Sequence, residues 1–122
     1  MCIRDSFMDQ SRAMCRGEAP LNWATAELLA YATLLEDKHP VRITGQDARR
    51  GTFRHRHAVF SDVDNGEKWT PLSNLKPGQA AFEIYNSPLS EFSVLGFEFG
   101  YSLMTPQAVS YTHLTLPTIC SV

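Results

Sequence analysis

Twice in this chain a short β-forming run stops at a turn residue, and the order in which these breaks fall restricts the fold more than any other feature. Val41-Arg42-Ile43-Thr44 alternates as a strand does and stops at Gly45. Phe82-Glu83-Ile84-Tyr85 is a second run of high β-propensity. Behind it Ser87 reads as an N-cap with Pro88 at the first helical position, where a missing N–H is no loss. The helix so opened runs to Met104 and stops before Pro106, with an apolar stripe of Phe92, Leu95, Phe99 and Leu103. Gly96 and Gly100 on it leave room for another backbone. Gln107-Ala108-Val109 then begins a third strand. Ahead of the first strand, Asn22 can cap a helix in which Trp23, Ala26, Leu28, Leu29, Tyr31, Ala32, Leu34 and Leu35 recur at helical spacing. Lys38-His39-Pro40 ends it, because proline disfavours helix in the residue before it. Helix–strand–loop–strand–helix–strand is the order of an α/β fold with a mostly parallel sheet and flanking helices.

Other stretches are less constrained. Phe7 to Pro20 is a polar lead-in, in part helical. Gln46 to Thr52 is a polar, basic loop following a strand, where α/β folds place ligands. His57-Ala58-Val59-Phe60 fits a short strand or a turn of helix. Asp62 to Lys68 is a turn favoured by Asn65-Gly66. Trp69 to Leu75 is expected to be extended.

At 122 residues the chain has room for one small domain. Its 43% apolar and 20% charged residues are a globular balance, and a net charge of −2 gives no global case for nucleic acid or an acidic membrane. No apolar run has the length of a membrane span, and no signal peptide is visible. Cys2, Cys15 and Cys120 have no metal-site spacing; scattered thiols suit a reducing compartment, the bacterial cytoplasm or the mitochondrial matrix.

Both ends read as foreign to the fold. Residues 1–6 and 110–122, the latter including Tyr111-Thr112-His113-Leu114-Thr115-Leu116-Pro117-Thr118, have the character of translated adapter read-through. The expected domain is residues 7–109, with Cys15 its one cysteine and the third strand cut short.

Two groups of residues could carry chemistry. Glu91 lies in the first turns of the second helix, and Glu98, seven residues on, falls on nearly the same face. Taken alone, both also fit surface or partner-facing acids, Glu91 being favoured there by the helix dipole. Arg49, Arg50, Arg54, His55, Arg56 and His57 cluster in the loop after the first strand. A solvated basic loop, a nucleic-acid patch and the lining of an anionic site all fit that composition, although no aromatic platform accompanies it. His55 and His57 could pair on a metal, but spacing places no third ligand.

Several of these segments resemble one family. Gly45-Gln46-Asp47, Arg50-Gly51-Thr52-Phe53, Arg56-His57-Ala58-Val59, Leu89-Ser90-Glu91 and Gly96-Phe97-Glu98-Phe99-Gly100-Tyr101 stand in the order found in the thiamine-dependent, decarboxylating components of 2-oxoglutarate dehydrogenase complexes. So do Asn22-Trp23, Ala26-Glu27 and Thr70-Pro71-Leu72. Ala24 departs from the glycine common there. The resemblance implies a truncated transketolase-like pyrimidine-binding domain.

It also implies a cofactor, thiamine diphosphate. Glu91 would bond to a ring nitrogen of the aminopyrimidine, shifting its amine towards the imine form that removes the thiazolium proton. Leu89 and Gln46 would join Glu91 in binding the cofactor, and Gln46 and His57 would face the substrate. Glu98 would be structural or at a subunit contact. Magnesium and the diphosphate would be held by a domain absent from this chain. The parent enzyme would decarboxylate 2-oxoglutarate in the citric acid cycle and pass the succinyl group to a lipoyl group on a partner succinyltransferase. It would act as a homodimer, without nucleic acid or membrane. The chain alone is expected to be inactive. Two alternatives stay open: 2-oxoadipate as substrate, or a non-catalytic interaction module of the same fold.

Overall fold

The computed structural model describes residues 3–51, 55–87 and 90–113. Its elements are α1 (Ile3–Cys15), α2 (Trp23–Glu36), β1 (Val41–Gly45), β2 (Phe60–Ser61), β3 (Lys68–Trp69), β4 (Phe82–Asn86), α3 (Glu91–Met104) and β5 (Val109–His113). A single turn of 3-10 helix, Pro71–Ser73, follows β3. The expected lead-in is thus a helix beginning at Ile3, and the third strand continues to His113.

The main sheet has the order β4-β1-β5, and both pairings are parallel. Val41 sits opposite Phe82 and Val109, Ile43 opposite Ile84 and Tyr111, and Gly45 opposite Asn86 and His113. Alternation sorts the side chains of β1 between two faces. Val41 and Ile43, with Phe82 and Ile84, pack beneath Tyr31 and Leu35 of α2, and Ala48, Ala58 and Leu72 close that core. Arg42 and Thr44 point to the other face, under α3. The expected α/β layer fold with its parallel sheet is therefore present, one helix to each face. Strands β2 and β3 form a small antiparallel hairpin across the Asn65-Gly66 turn, pairing Phe60 with Trp69.

Asn22 caps α2 as expected: its Oδ1 accepts from the Thr25 N–H at 2.8 Å. The buried face of α2 is narrower than its sequence pattern. Trp23 is 93% exposed and Leu29 is also exposed. At 3.6 residues per turn both lie roughly 120° from Leu35, on opposite sides of the seam that meets the sheet. Residues 69–75 are not an extended run, because Pro71 opens the 3-10 turn and Asn74 N–H closes it on Pro71 O.

Two expectations for α3 are corrected. Its N-cap is Ser90, whose Oγ accepts from the Ser93 N–H, and its first residue is Glu91. Ser87 instead ends the strand side of the junction, its N–H donating to Gly45 O at 2.9 Å, three residues before the observed cap. Nor does the stripe Phe92, Leu95, Phe99 and Leu103 face the sheet: all four are exposed, and the buried residues of α3 are Val94 and Glu98.

Tyr31 joins core and polar chemistry. Its hydroxyl donates to Glu27 Oε1 at 3.1 Å, and its ring meets Tyr111 edge-on at 6.2 Å. Burial first, then the charge and hydrogen bond of Glu27, raise the Tyr31 pKa well above its ordinary 10.0. A folded pKa above the unfolded one gives stability that is complete below about pH 10 and is lost as pH rises towards the folded value. The stability advantage of the chain over its Tyr31→Phe variant should therefore shrink above about pH 10, as urea midpoints between about pH 8 and pH 11 would show.

Candidate functional site at the carboxyl end of the sheet

The carboxyl ends of β1 and β4 lie side by side at Gly45 and Asn86. From this edge the chain leaves β1 into the loop beginning at Gln46, and leaves β4 towards the amino terminus of α3. Ligands of open α/β sheets lie in this position. Two hydrogen bonds join the departing segments: Ser87 N–H to Gly45 O, and Arg49 N–H to Asn86 Oδ1 at 3.0 Å.

Glu91, the first residue of α3, is exposed there. Among the described residues no ion pair or hydrogen bond engages its carboxylate. Beside it Phe92 is 89% exposed and Leu95 is also open. A free carboxylate next to bare apolar surface is a donor set that fits a flat heteroaromatic ring with a basic nitrogen. Gln46 is exposed at the same edge, one residue past Gly45. Leu89 lies outside the described residues.

Beneath the first turns of α3 is a cleft of about 340 Å³ lined by Thr44, Asn86, Ser87, Ser93, Val94 and Phe97. The Thr44 hydroxyl is buried in its wall, with no hydrogen-bond partner among the described residues.

The basic loop folds back on itself. Arg56 and His57 N–H both donate to Arg50 O, and Ala58 N–H donates to Arg49 O. Arg56 is 1% exposed and anchors the loop. Its Nε and Nη2 reach Glu27 Oε1 at 2.9 and 2.8 Å, and its Nη1 donates to Ala48 O at 2.9 Å. Arg50 pairs with Asp47. The clustered cations are thus largely committed within the domain. Asp47 and His57 hold left-handed backbones, with φ of 54° and 43°. Such strain in non-glycine residues gathers at functional loops.

His57 is half-buried and lines a second cavity, of about 310 Å³, with Cys15, Ala24, Leu28 and Leu72 on the α2 side. It does not share the cleft beneath α3, so Glu91 and Gln46 are gathered at one edge and His57 is set apart. Among the described residues no group of three His, Cys, Asp or Glu side chains is placed to hold a metal ion. No helix among them is long and apolar enough to cross a membrane.

The sequence reading missed a buried cluster on the α3 face. Arg42 Nε donates to Glu98 Oε1 at 3.0 Å, and its Nη1 to Glu83 Oε2 at 2.5 Å. Ser110 Oγ donates to Glu98 Oε2 at 2.6 Å. The guanidinium also lies 4.8 Å from the ring centroids of Tyr85 and Tyr101 and 5.2 Å from that of Phe97. Burial acts to lower the Arg42 pKa, but the bonds and charges of Glu98 and Glu83 outweigh it, and the net shift is upward. The available signal was alternation, which sets Arg42 on the polar face of β1. Its partner on α3 lies 56 residues away.

Residues 19–116 match the transketolase pyrimidine-binding domain family, and the chain belongs to that family. It is similar to proteins named 2-oxoglutarate dehydrogenase E1 component. With that of Azotobacter vinelandii it is 56% identical over 93 residues, which is 76% of this chain and 10% of that protein. With that of Oceanobacillus iheyensis it is 52% identical over 88 residues, 72% of this chain and 9% of that protein. With that of Brucella melitensis biotype 1 the figures are 48% over 103 residues, 84% and 10%. The chain spans about a tenth of the length of these relatives. The expected fold family is thus confirmed.

Gly51 fixes the basic loop. It has φ 80°, and a Cβ there would lie 2.6 Å from His55 Cε1 and 3.1 Å from the Arg56 backbone nitrogen. Gly51→Ala should destabilise the chain by about 1–2 kcal/mol, measured as a shift in urea midpoint at unchanged slope.

Proposed function

We propose that this chain is the pyrimidine-binding part of a thiamine diphosphate-dependent 2-oxoglutarate dehydrogenase, and that Glu91 is its catalytic carboxylate. The observation that carries the reading is the exposed, uncommitted Glu91 at the carboxyl edge of the sheet, in a chain about half identical to proteins of that name. The cofactor, when bound, supplies the electron sink for decarboxylation. Glu91 holds a proton at the pyrimidine ring nitrogen and orients the ring. The proton so held is the one Glu91 exchanges with the ring nitrogen during the reaction. Gln46 and Leu89 belong with Glu91 in holding the ring. Gln46 and His57 are the proposed contacts to substrate, His57 requiring the loop to turn from its place on the α2 side.

Magnesium and the diphosphate belong to another domain of the parent protein. The bare apolar face of α3 suits the second subunit of a homodimer. The succinyl group formed from 2-oxoglutarate would pass to the lipoyl group of the partner succinyltransferase, in the citric acid cycle. The setting would be the bacterial cytoplasm or the mitochondrial matrix. The open cleft beneath the first turns of α3 is what favours an enzyme over a non-catalytic interaction module.

The test is a chimera in which residues 19–109 of this chain, the part of the matched segment ahead of the foreign tail, replace the corresponding segment of the Azotobacter vinelandii relative. It should release carbon dioxide from 2-oxoglutarate when given thiamine diphosphate and magnesium. Glu91→Gln should lower kcat by about 10²–10⁴-fold. A folded chimera without activity, or a variant as fast as its parent, overturns the proposal.

A further inference from the structure

We infer that Arg42 and Glu98 are positioning residues, an ion pair that sets where the Glu91 carboxylate stands. The inference rests on the reading of Glu91 given above and deepens it.

Glu91 and Glu98 are seven residues apart, two turns of one helix, and so share a face. Their surroundings are opposite. Glu98 is 5% exposed over the sheet, whereas Glu91 projects past the carboxyl edge. The distance between them along the axis is about 10 Å, at 1.5 Å per residue. The helix is held to the sheet at few points. Its apolar residues Phe92, Leu95, Phe99, Leu103 and Met104 are exposed, and besides Glu98 the buried residue is Val94. Packing alone therefore does little to fix how α3 is rotated and tilted.

The Glu98 carboxylate does so. One oxygen accepts from Arg42 Nε, and the other accepts from Ser110 Oγ. Arg42 is on β1 and Ser110 on β5, at paired positions of adjacent strands. The carboxylate thus spans two strands, and its two bonds define both its position and its plane. Arg42 is in turn tied to Glu83 of β4. All three strands of the sheet are linked to one point on α3.

That point is the fulcrum of a lever. A tilt of about 5° about Glu98 moves Glu91 by about 1 Å over a 10 Å arm. Misplacement by about 1 Å can cost roughly 100-fold in rate. Neither Arg42 nor Glu98 needs to touch cofactor or substrate for this to hold.

The chimera described above provides the test. Glu98→Gln preserves size and removes the charge. In the cofactor-free protein it should speed amide hydrogen exchange in the first two turns of α3 by about tenfold, while exchange in α2 stays as it was. In the loaded protein it should slow exchange of the cofactor's thiazolium proton and lower kcat by roughly 10- to 100-fold, with KM for 2-oxoglutarate within about twofold. Glu98→Asp should recover part of each effect. If Glu98→Gln does not fold, Arg42→Lys, which keeps the charge and loses the planar fork, is read in the same way. Unchanged exchange in α3 and an unchanged kcat, beside a Glu91→Gln variant that is crippled, would overturn the positioning role alone. A harmless Glu91→Gln would instead overturn the functional reading on which it rests.

Discussion

Arg42 is the residue on which the α3 side of this domain depends. A guanidinium on the central strand of a three-stranded sheet is costly to remove from water unless its charge and its donors are met. Here two carboxylates meet them, and three aromatic rings surround the plane. Removing one partner of such a buried pair leaves the other uncompensated, typically at about 3–5 kcal/mol. The geometry matters as much as the energy. An apolar seam lets a helix slide or rotate among similar packings, whereas a planar fork on a carboxylate admits few orientations. A helix whose apolar residues mostly face outward keeps a defined place by this means.

Arg56 does the corresponding work on the other face. It is buried against Glu27 of α2 and caps the Ala48 carbonyl, which ties the basic loop to that helix. The same Glu27 accepts from Tyr31, so the loop, the helix and the core share one carboxylate. The two arginines thus fasten the two structures that leave the carboxyl edge of the sheet. One holds the loop that carries Gln46, and the other holds the helix that carries Glu91. Arg42 and Arg56 are thus internal fastenings and not part of a basic surface.

Strands β1 and β4, the Asn22 cap, the end of α3 before Pro106 and the parallel order were legible because each depends on near neighbours in sequence. The start of α3 was not. Ser87-Pro88 and Ser90-Glu91 offer equally good local starts, and Ser87 stays with the strand, its N–H on the Gly45 carbonyl. Periodicity showed that α3 has an apolar stripe but could not say whether this chain supplies its cover. Glu98 was expected to be structural or at a subunit contact, but its partner could not be named because that cation lies 56 residues away in sequence. Glu91 and Gln46, the proposed site residues, both follow strands that end at the carboxyl edge of the sheet. His57 was harder to place, because the side from which a loop residue projects is set by left-handed turns at Asp47 and at His57 itself.

Helix α3 is therefore amphipathic in reverse. It turns a carboxylate inward, onto an arginine, and phenylalanines and leucines outward. An apolar face of this kind marks a surface that another surface covers. Glu91 is the first residue of the helix, on the Glu98 side but exposed, not within the domain's own core. A carboxylate so placed is open to whatever comes to lie over that face. The domain can supply the position of the carboxylate by itself, through Arg42 and Glu98. The dry surroundings that the proposed function calls for would come from whatever lies against α3. Position and dryness are thus contributed from opposite sides of one helix.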